Sequence, residues 1–482
     1  MEEIKFINSE AVPLEMHKAR IIQKIALLPV EDRVKANEKA GNNAHLLQTN
    51  EVFLDMLTDS GTNAMIDKQL AAMMEADDAY AGSASFSKLE SVVQDLFDMK
   101  YFVPAHQGRA CEHLLCRVLI TPGMTVAMNH HFTTTRGHVK LAKGELVELL
   151  KEEGFQAESS CPFKGDMDIQ KLENLILEKG AENIAFVRME AGTNLIGGQP
   201  ISLENIQAVG KICKKNHISY ILDASLLSDN LYFIKKREES CRKMSIQSIL
   251  KKISSCFDII YFSARKLTSS RGGGIAFRKE EDYLKVRDLL PIYEGFLTYG
   301  GISIREIESM AVGLSETVDE HFISQGPIFI EEMTNLLIKQ NVPVVTPPGG
   351  LGVHLDAKRF LPHIPAGEYP AAALHVALYL VSGIRGTERG TLSEDRNENG
   401  EEVFAKMELL RLALPRRVFT LSHIKYAVDR ISWLYQNRTL IHGLEFVEEP
   451  ETLRFFFGRL KATDDWQKKL VKKFKEDFGD SL

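Results

Sequence analysis

Apolar positions along the chain alternate between helical and strand-like periodicity. Leu89, Val92, Val93, Leu96 and Phe97 recur at helical spacing, and the short strand-like run Tyr101-Phe-Val follows. Pro104-Ala-His-Gln-Gly-Arg-Ala110 then leads into a helix whose apolar face carries Ala110, Leu114, Leu115 and Val118. A strand is predicted near Ile184-Ala-Phe-Val. It is followed by the turn Asn194-Leu-Ile-Gly-Gly-Gln-Pro200 and by a helix opening near Ser202, with Ile206, Val209 and Ile212 inward. The strand Ile218 to Leu222 ends on Asp223, and the apolar run Asp258 to Phe262 ends on Ser263. Strands alternating with helices predict an α/β fold with a parallel sheet, and such sheets bind ligands at the carboxyl ends of their strands. Asp223, Ser263, Lys266 and the Gln107–Arg109 turn all fall at such ends.

The first fifty-odd residues mix short helical patterns with polar breaks. They are expected to form an arm and part of a small domain (1–55), ahead of a large domain over 56–320. Beyond it the texture changes. A helix predicted from Ile328 to Ile338 runs into Pro343, Pro347, Pro348 and Gly349-Gly350, and a polar loop follows from Glu394 to Glu402. This is read as a smaller α+β domain over 321–482. In its tail, Trp466, Leu470, Val471 and Phe474 lie at helical spacing and are expected to pack on the protein's own surface.

Composition narrows the function without naming it. Lys+Arg 59 against Asp+Glu 66 leaves a charge of −7. No basic field invites nucleic acid or an anionic membrane. The 6 cysteines form no CxxC pair, which argues against structural zinc and for a reducing compartment. The N-terminus lacks an apolar targeting core, and no apolar run is long enough to span a bilayer. A cytoplasmic protein is expected.

Lys266 stands three residues beyond Ser263, before the glycines that follow Arg271. A lysine among small polar residues past a buried strand suits Schiff-base chemistry, since it can lose its proton and attack a carbonyl. The strand–turn–helix order at Gln107-Gly108-Arg109 puts backbone N–H groups at a helix N-terminus, where a phosphate binds well. An aldehyde cofactor with a basic ring nitrogen and a phosphate needs a lysine, a carboxylate and such a turn. Pyridoxal phosphate (PLP) is that cofactor, with Asp223 as the partner of its ring nitrogen. Phe132 is the candidate aromatic face against the ring.

The text also resembles a known family. Leu57-Thr-Asp-Ser-Gly-Thr-Asn-Ala-Met65, Ala79-Tyr-Ala-Gly-Ser83, His106-Gln-Gly-Arg109 and Phe132-Thr-Thr-Thr-Arg136 are similar to stretches of the β-eliminating lyases. The likeness continues through Asn194–Pro200, Asp223-Ala, Asn230–Lys235, Tyr299-Gly-Gly301, Glu388-Arg-Gly390, Arg411–Arg417 and Leu453–Phe456. It covers nearly the whole chain except the last twenty or so residues.

The resemblance implies fold-type I of the PLP enzymes, a homotetramer, and an amino-acid substrate. It also assigns roles. Lys266 would carry the cofactor and take the Cα proton. Asn194 would contact the ring 3-oxygen. Gln107, Gly108 and Ser263 would hold the phosphate, with Arg109 close by. Arg411 would clamp the substrate carboxylate, helped by Thr58. Tyr80 would protonate the leaving ring carbon, and Arg389 with Thr133 would hold a phenol oxygen. Phe455 and Phe456 would line the aromatic pocket. Thr133 and Arg389 favour the phenol-lyase branch of the family over the tryptophanase branch. The implied reaction is β-elimination of a tyrosine-like amino acid to phenol, pyruvate and ammonia.

Departures cluster around the cofactor. Leu226 stands where the family has an arginine, Leu351 where it has a histidine, and Thr387 where it has an apolar residue. His45 replaces an aromatic. These leave room for another PLP reaction, such as β-replacement or transamination of an unusual amino acid, or for a non-catalytic relative. The family's monovalent-cation site matches Gly61 and Asp78, but its third position is Arg271. That guanidinium is expected to lie near Asp78 in place of K+, because a fixed cation repels a mobile one.

Overall fold

The computed structural model describes residues 6–7 and 12–479. These fall into two compact units. One comprises Ser60–Gln156 and Cys161–Pro327, and the other comprises the segment up to Asp59, Ala157–Ser160 and the chain from Ile328 onward.

The first unit is built on a seven-stranded sheet: β1 (Tyr101–Ala105), β2 (Thr125–Met128), β3 (Glu145–Glu148), β4 (Ile184–Glu190), β5 (Tyr220–Asp223), β6 (Ile259–Ser263) and β7 (Gly273–Phe277), in the order β1-β7-β6-β5-β4-β2-β3. Strands β2 to β6 pair in parallel, whereas β7 is antiparallel to both β6 and β1. Strand β1 therefore shares the direction of the parallel five. The carboxyl ends of β1, β2, β4, β5 and β6 accordingly lie along one edge, which is where a doubly wound sheet presents its ligand groups.

The sheet is mainly parallel, as expected, with β7 its antiparallel member. Its Gly273 and Gly274 both lie inside the ladder. A Cβ on Gly274 would lie 2.3 Å from the Phe102 ring, and one on Gly273 would lie 3.1 Å from the Gly108 nitrogen. Only glycine allows so close an approach of backbone and ring.

Helix α1 (Ala84–Phe97) buries Leu89, Val93, Leu96 and Phe97, and Ser83 caps it by accepting from the Phe86 amide. Helix α2 (Gly108–Leu119) leaves β1 through Gln107, and α3 (Thr133–Leu141) leaves β2 through Phe132. A four-residue helix α4 (Ala264–Leu267) follows β6 and carries Lys266.

In the second unit, β8 (Gly352–Asp356), β9 (Thr387–Arg389) and β10 (Leu409–Ala413) form an antiparallel sheet in the order β9-β10-β8. Helix α5 (Pro370–Ser382), buried along its whole length, is the centre of this unit's core. Helix α6 (Trp466–Phe478) adds Trp466, Leu470 and Phe474 to that core, each fully buried. The tail thus packs on the protein itself as its pattern predicted, apart from its last three residues, which lie outside those described. Among the described residues, no helix is long and apolar enough to cross a membrane.

Candidate active site

In the first unit, the groups expected to meet PLP gather at the carboxyl ends. The Lys266 Nζ is 5.2 Å from the centroid of the Phe132 ring. Phe132 occupies the turn between β2 and α3, immediately before the first residue of that helix. Asp223 ends β5 and is buried. Its Oδ1 accepts from the Ser225 amide at 3.0 Å, and its Oδ2 accepts from the Tyr261 hydroxyl at 3.0 Å and from Arg188 Nη2 at 2.5 Å. Asn194, buried in the turn after β4, donates its amide to Glu190 Oε1 at 3.2 Å.

The phosphate end is equally tight. A Cβ on Gly108 would lie 2.9 Å from the Ser263 Cβ, so the α2 N-terminus and the end of β6 meet through a glycine. The first-turn amides of α2 have no carbonyl within their own helix to bond. Ser263 donates its amide to Ser225 Oγ at 3.1 Å. Arg265 is held below its ordinary pKa by burial and by the neighbouring charges of Arg271 and Arg109, so three guanidiniums give this corner a positive field. An amine facing an aromatic ring, a buried carboxylate and an electropositive helix N-terminus suit an aldehyde, a basic ring and a phosphate. The residues fit PLP.

Thr133 is buried at the first position of α3, while Thr134 and Thr135 donate to the buried Glu112. Tyr80 is placed differently: it is 69% exposed, its ring stacks on Phe296 at 5.5 Å, and a hydrogen bond with Tyr299 raises its hydroxyl pKa.

The expected contact of Arg271 with Asp78 is not what forms. Arg271 Nη1 donates to the Gly61 carbonyl at 2.7 Å, and Asp78 instead meets Arg305 at 3.4 Å. Arg305 comes from the helix Ile304–Ser315, remote from Asp78 in sequence.

In the second unit, Arg411 on β10 lies opposite Thr387 on β9. Its Nη2 donates to the Leu57 carbonyl at 2.9 Å, and Thr387 Oγ1 donates to that same carbonyl. Burial, reinforced by Arg389 and partly offset by Asp59, holds the Arg411 pKa well down. Such a guanidinium gains most from an anion. The Arg389 guanidinium lies 5.7 Å from the Phe455 ring centroid, and Phe455 packs on Phe456 at 4.0 Å. His45 meets both rings edge-on, and its pKa is lowered to about 3 by burial and by Arg389. Thr58 is partly buried in the same unit.

Sequence reasoning missed the network beneath Asp223. Arg188 and Glu190 lie two apart on β4, so their side chains share one face of the strand. Arg188 Nε donates to Tyr261 at 2.8 Å, while its other nitrogens lie 3.6 Å from Glu190 and 3.8 Å from Glu112. Burial opposes the Arg188 charge, but Tyr261, Asp223, Glu190 and Glu112 outweigh it and hold its pKa well above the ordinary value. Burial raises Glu190 to about 7 against the pull of Arg188, and burial also raises Glu112. A charged pair at alternate positions of an otherwise apolar strand was the available signal.

Comparison with known proteins agrees with this chemistry. The β-eliminating lyase family model matches residues 55–430. Tyrosine phenol-lyases of Symbiobacterium thermophilum and Pasteurella multocida are 41% and 40% identical over 93% of this chain and 98% of each relative. Among solved structures, a serine palmitoyltransferase of Sphingomonas wittichii superposes with a TM-score of 0.56 at 12% identity, covering 80% of this chain and 88% of that one. A Leishmania major threonine aldolase gives 0.54 at 13%, covering 79% and 99%. These two likenesses concern the fold.

Proposed function

The chain belongs to the β-eliminating lyase family of PLP-dependent enzymes, and from that premise we propose that it cleaves the Cβ–Cγ bond of a tyrosine-like L-amino acid. With water, tyrosine gives phenol, pyruvate and ammonia. The observation that carries the reading is the Lys266 amine facing the Phe132 ring, at the strand ends where Asp223 is also held. When bound, PLP supplies the electron sink that makes the Cα proton acidic and the Cβ–Cγ bond labile.

The chain's residues take the remaining roles. Asp223 accepts a hydrogen bond from the ring nitrogen, and Asn194 donates to the ring 3-oxygen. Gln107, Gly108 and Ser263 hold the phosphate, in the positive field of Arg109. Lys266 holds the cofactor and removes the Cα proton. Arg411 and Thr58 receive the substrate carboxylate. Arg389 and Thr133 bind the phenol oxygen, Tyr80 delivers a proton to the ring carbon, and Phe455 and Phe456 flank the aromatic group. A lactate-dehydrogenase-coupled assay tests the reading. Pyruvate released from tyrosine supports it. Absence of pyruvate from tyrosine, tryptophan and S-alkyl cysteines refutes it.

Arg271 occupies the Gly61 carbonyl, which favours a fixed guanidinium in place of an activating K+ at this position. The chain works as a cytoplasmic homotetramer, a state that light scattering of the purified protein checks. A second reading, another PLP reaction on an unusual amino acid, draws support from Thr387. Its hydroxyl bonds the same Leu57 carbonyl as Arg411 and so alters the carboxylate corner. Mass spectrometry of products across an amino-acid panel separates the two.

A further inference from the structure

Three buried carboxylates, Asp223, Glu112 and Glu190, surround the single guanidinium of Arg188. Among the described residues, the other ionisable groups that interact with this cluster include Tyr261 on β6, Cys111 and Cys116 on α2, and Lys266 on α4. In so dry a place one cation cannot keep three carboxylates ionised. Distance decides which one it serves. Arg188 is 2.5 Å from Asp223, 3.6 Å from Glu190 and 3.8 Å from Glu112. Glu112 is bonded by Thr134 and Thr135, and Glu190 by the Asn194 amide, so neither depends on Arg188 for a partner. Asp223 Oδ2, by contrast, is held by Arg188 and Tyr261 together, and these two also bond each other.

We propose that Arg188 is the positioning residue that orients the Asp223 side chain and so lets it hold the cofactor ring nitrogen in its protonated form. Burial raises Glu190 to about 7 and raises Glu112 as well, which leaves Arg188 to serve Asp223. Leu226 places an apolar side chain on the loop after β5, so the nearby cation comes from β4, the strand paired with β5. This inference rests on the PLP reading of the site.

The test compares wild type, Arg188→Met, Arg188→Lys and the double variant Arg188→Met/Glu190→Gln. PLP affinity is read by titrating each apoprotein, and ring protonation by the 15N chemical shift of bound PLP labelled at its ring nitrogen. Arg188→Met is expected to weaken PLP binding about ten- to a hundredfold and to move the 15N signal to the unprotonated range at neutral pH. Arg188→Lys keeps the protonated signal with a smaller loss of affinity. The double variant, which also takes one carboxyl out of a cluster that has lost its cation, recovers thermal stability but not ring protonation. Recovery of both, or Arg188→Met binding PLP within about twofold of wild type with a protonated ring, overturns the proposal. If Arg188→Met does not fold, Tyr261→Phe decides. A protonated ring with Arg188 as the remaining Oδ2 partner supports the assignment, and loss of protonation moves it to Tyr261. Wild type that binds no PLP defeats the PLP reading itself, a result separate from these.

Discussion

The ε-amino nitrogen of Lys266 stands 5.2 Å from the centre of the Phe132 ring, the one from the helical turn after β6 and the other from the turn after β2. Strands β5 and β4 lie between β6 and β2 in the sheet, and Asp223 ends β5. Lysine, aromatic ring and carboxylate are therefore brought to one edge by strand order and not by proximity in sequence.

Removing the amine should abolish turnover while leaving the fold. Lys266→Ala is expected to lower pyruvate release by about a thousandfold or more, because carrier and base are lost together. Borohydride reduction followed by peptide mapping should place the cofactor label on residue 266 in wild type and nowhere in the variant. A label on another lysine would displace Lys266 from its role.

Arg389 offers a split between substrates. Its guanidinium lies beside the Phe455 ring, where a phenol oxygen would gain a charged donor. Arg389→Met should lower kcat/KM for tyrosine by about a hundredfold, the scale of one lost charged donor to a developing anion. Elimination from S-alkyl cysteines involves no phenol oxygen and should change by less than about fivefold. Equal losses on both substrates would remove Arg389 from leaving-group recognition.

Arg271 and the Gly61 carbonyl give a prediction about salt. With the guanidinium donating at 2.7 Å, wild-type activity should be the same in K+, Na+ and Li+. Arg271→Met exposes the carbonyl, so its activity should be lower and partly restored by K+. Activation of wild type by K+ over Li+ would show that the arginine does not stand in for a mobile ion.

What could be read from the sequence depended on where the information is local. Asp223, Ser263 and Lys266 were legible because each follows an apolar run of strand length, and the sheet then places such residues at one edge. Strand β7 was not legible, since its glycines exist to admit the Phe102 ring and the Gly108 backbone, which are remote in sequence. Arg188 was hidden for a similar reason. A cation inside an apolar strand becomes intelligible once β5 and β6 bring Asp223 and Tyr261 beside it. The pairing of Asp78 with Arg305 was hidden in the same way, because Arg305 stands on a helix remote from Asp78 in sequence.

Glu388 and Glu408 make the stability of the second unit sensitive to pH. They flank Gly390, where an added Cβ would come within 3.0 Å of Glu388 Oε1 and nearer still to Glu408. Ser393 donates to Glu388, and the Thr391 amide donates to Glu408. Burial raises Glu388 to about 8, with Glu408 adding to the rise, and burial raises Glu408 to about 7. Both folded-state values lie above those of an unfolded carboxyl, so between them the folded chain binds more protons than the unfolded one. Stability therefore falls as pH rises from about 5 to about 8. Glu388→Gln stays neutral throughout and should flatten the decline, leaving the variant's Tm closer to wild type at pH 5 and above it at pH 8.5. Thermal melts across that interval decide the matter: a wild-type Tm that climbs with pH, or a variant that tracks wild type throughout, would mean that these carboxyls are already ionised in the folded chain.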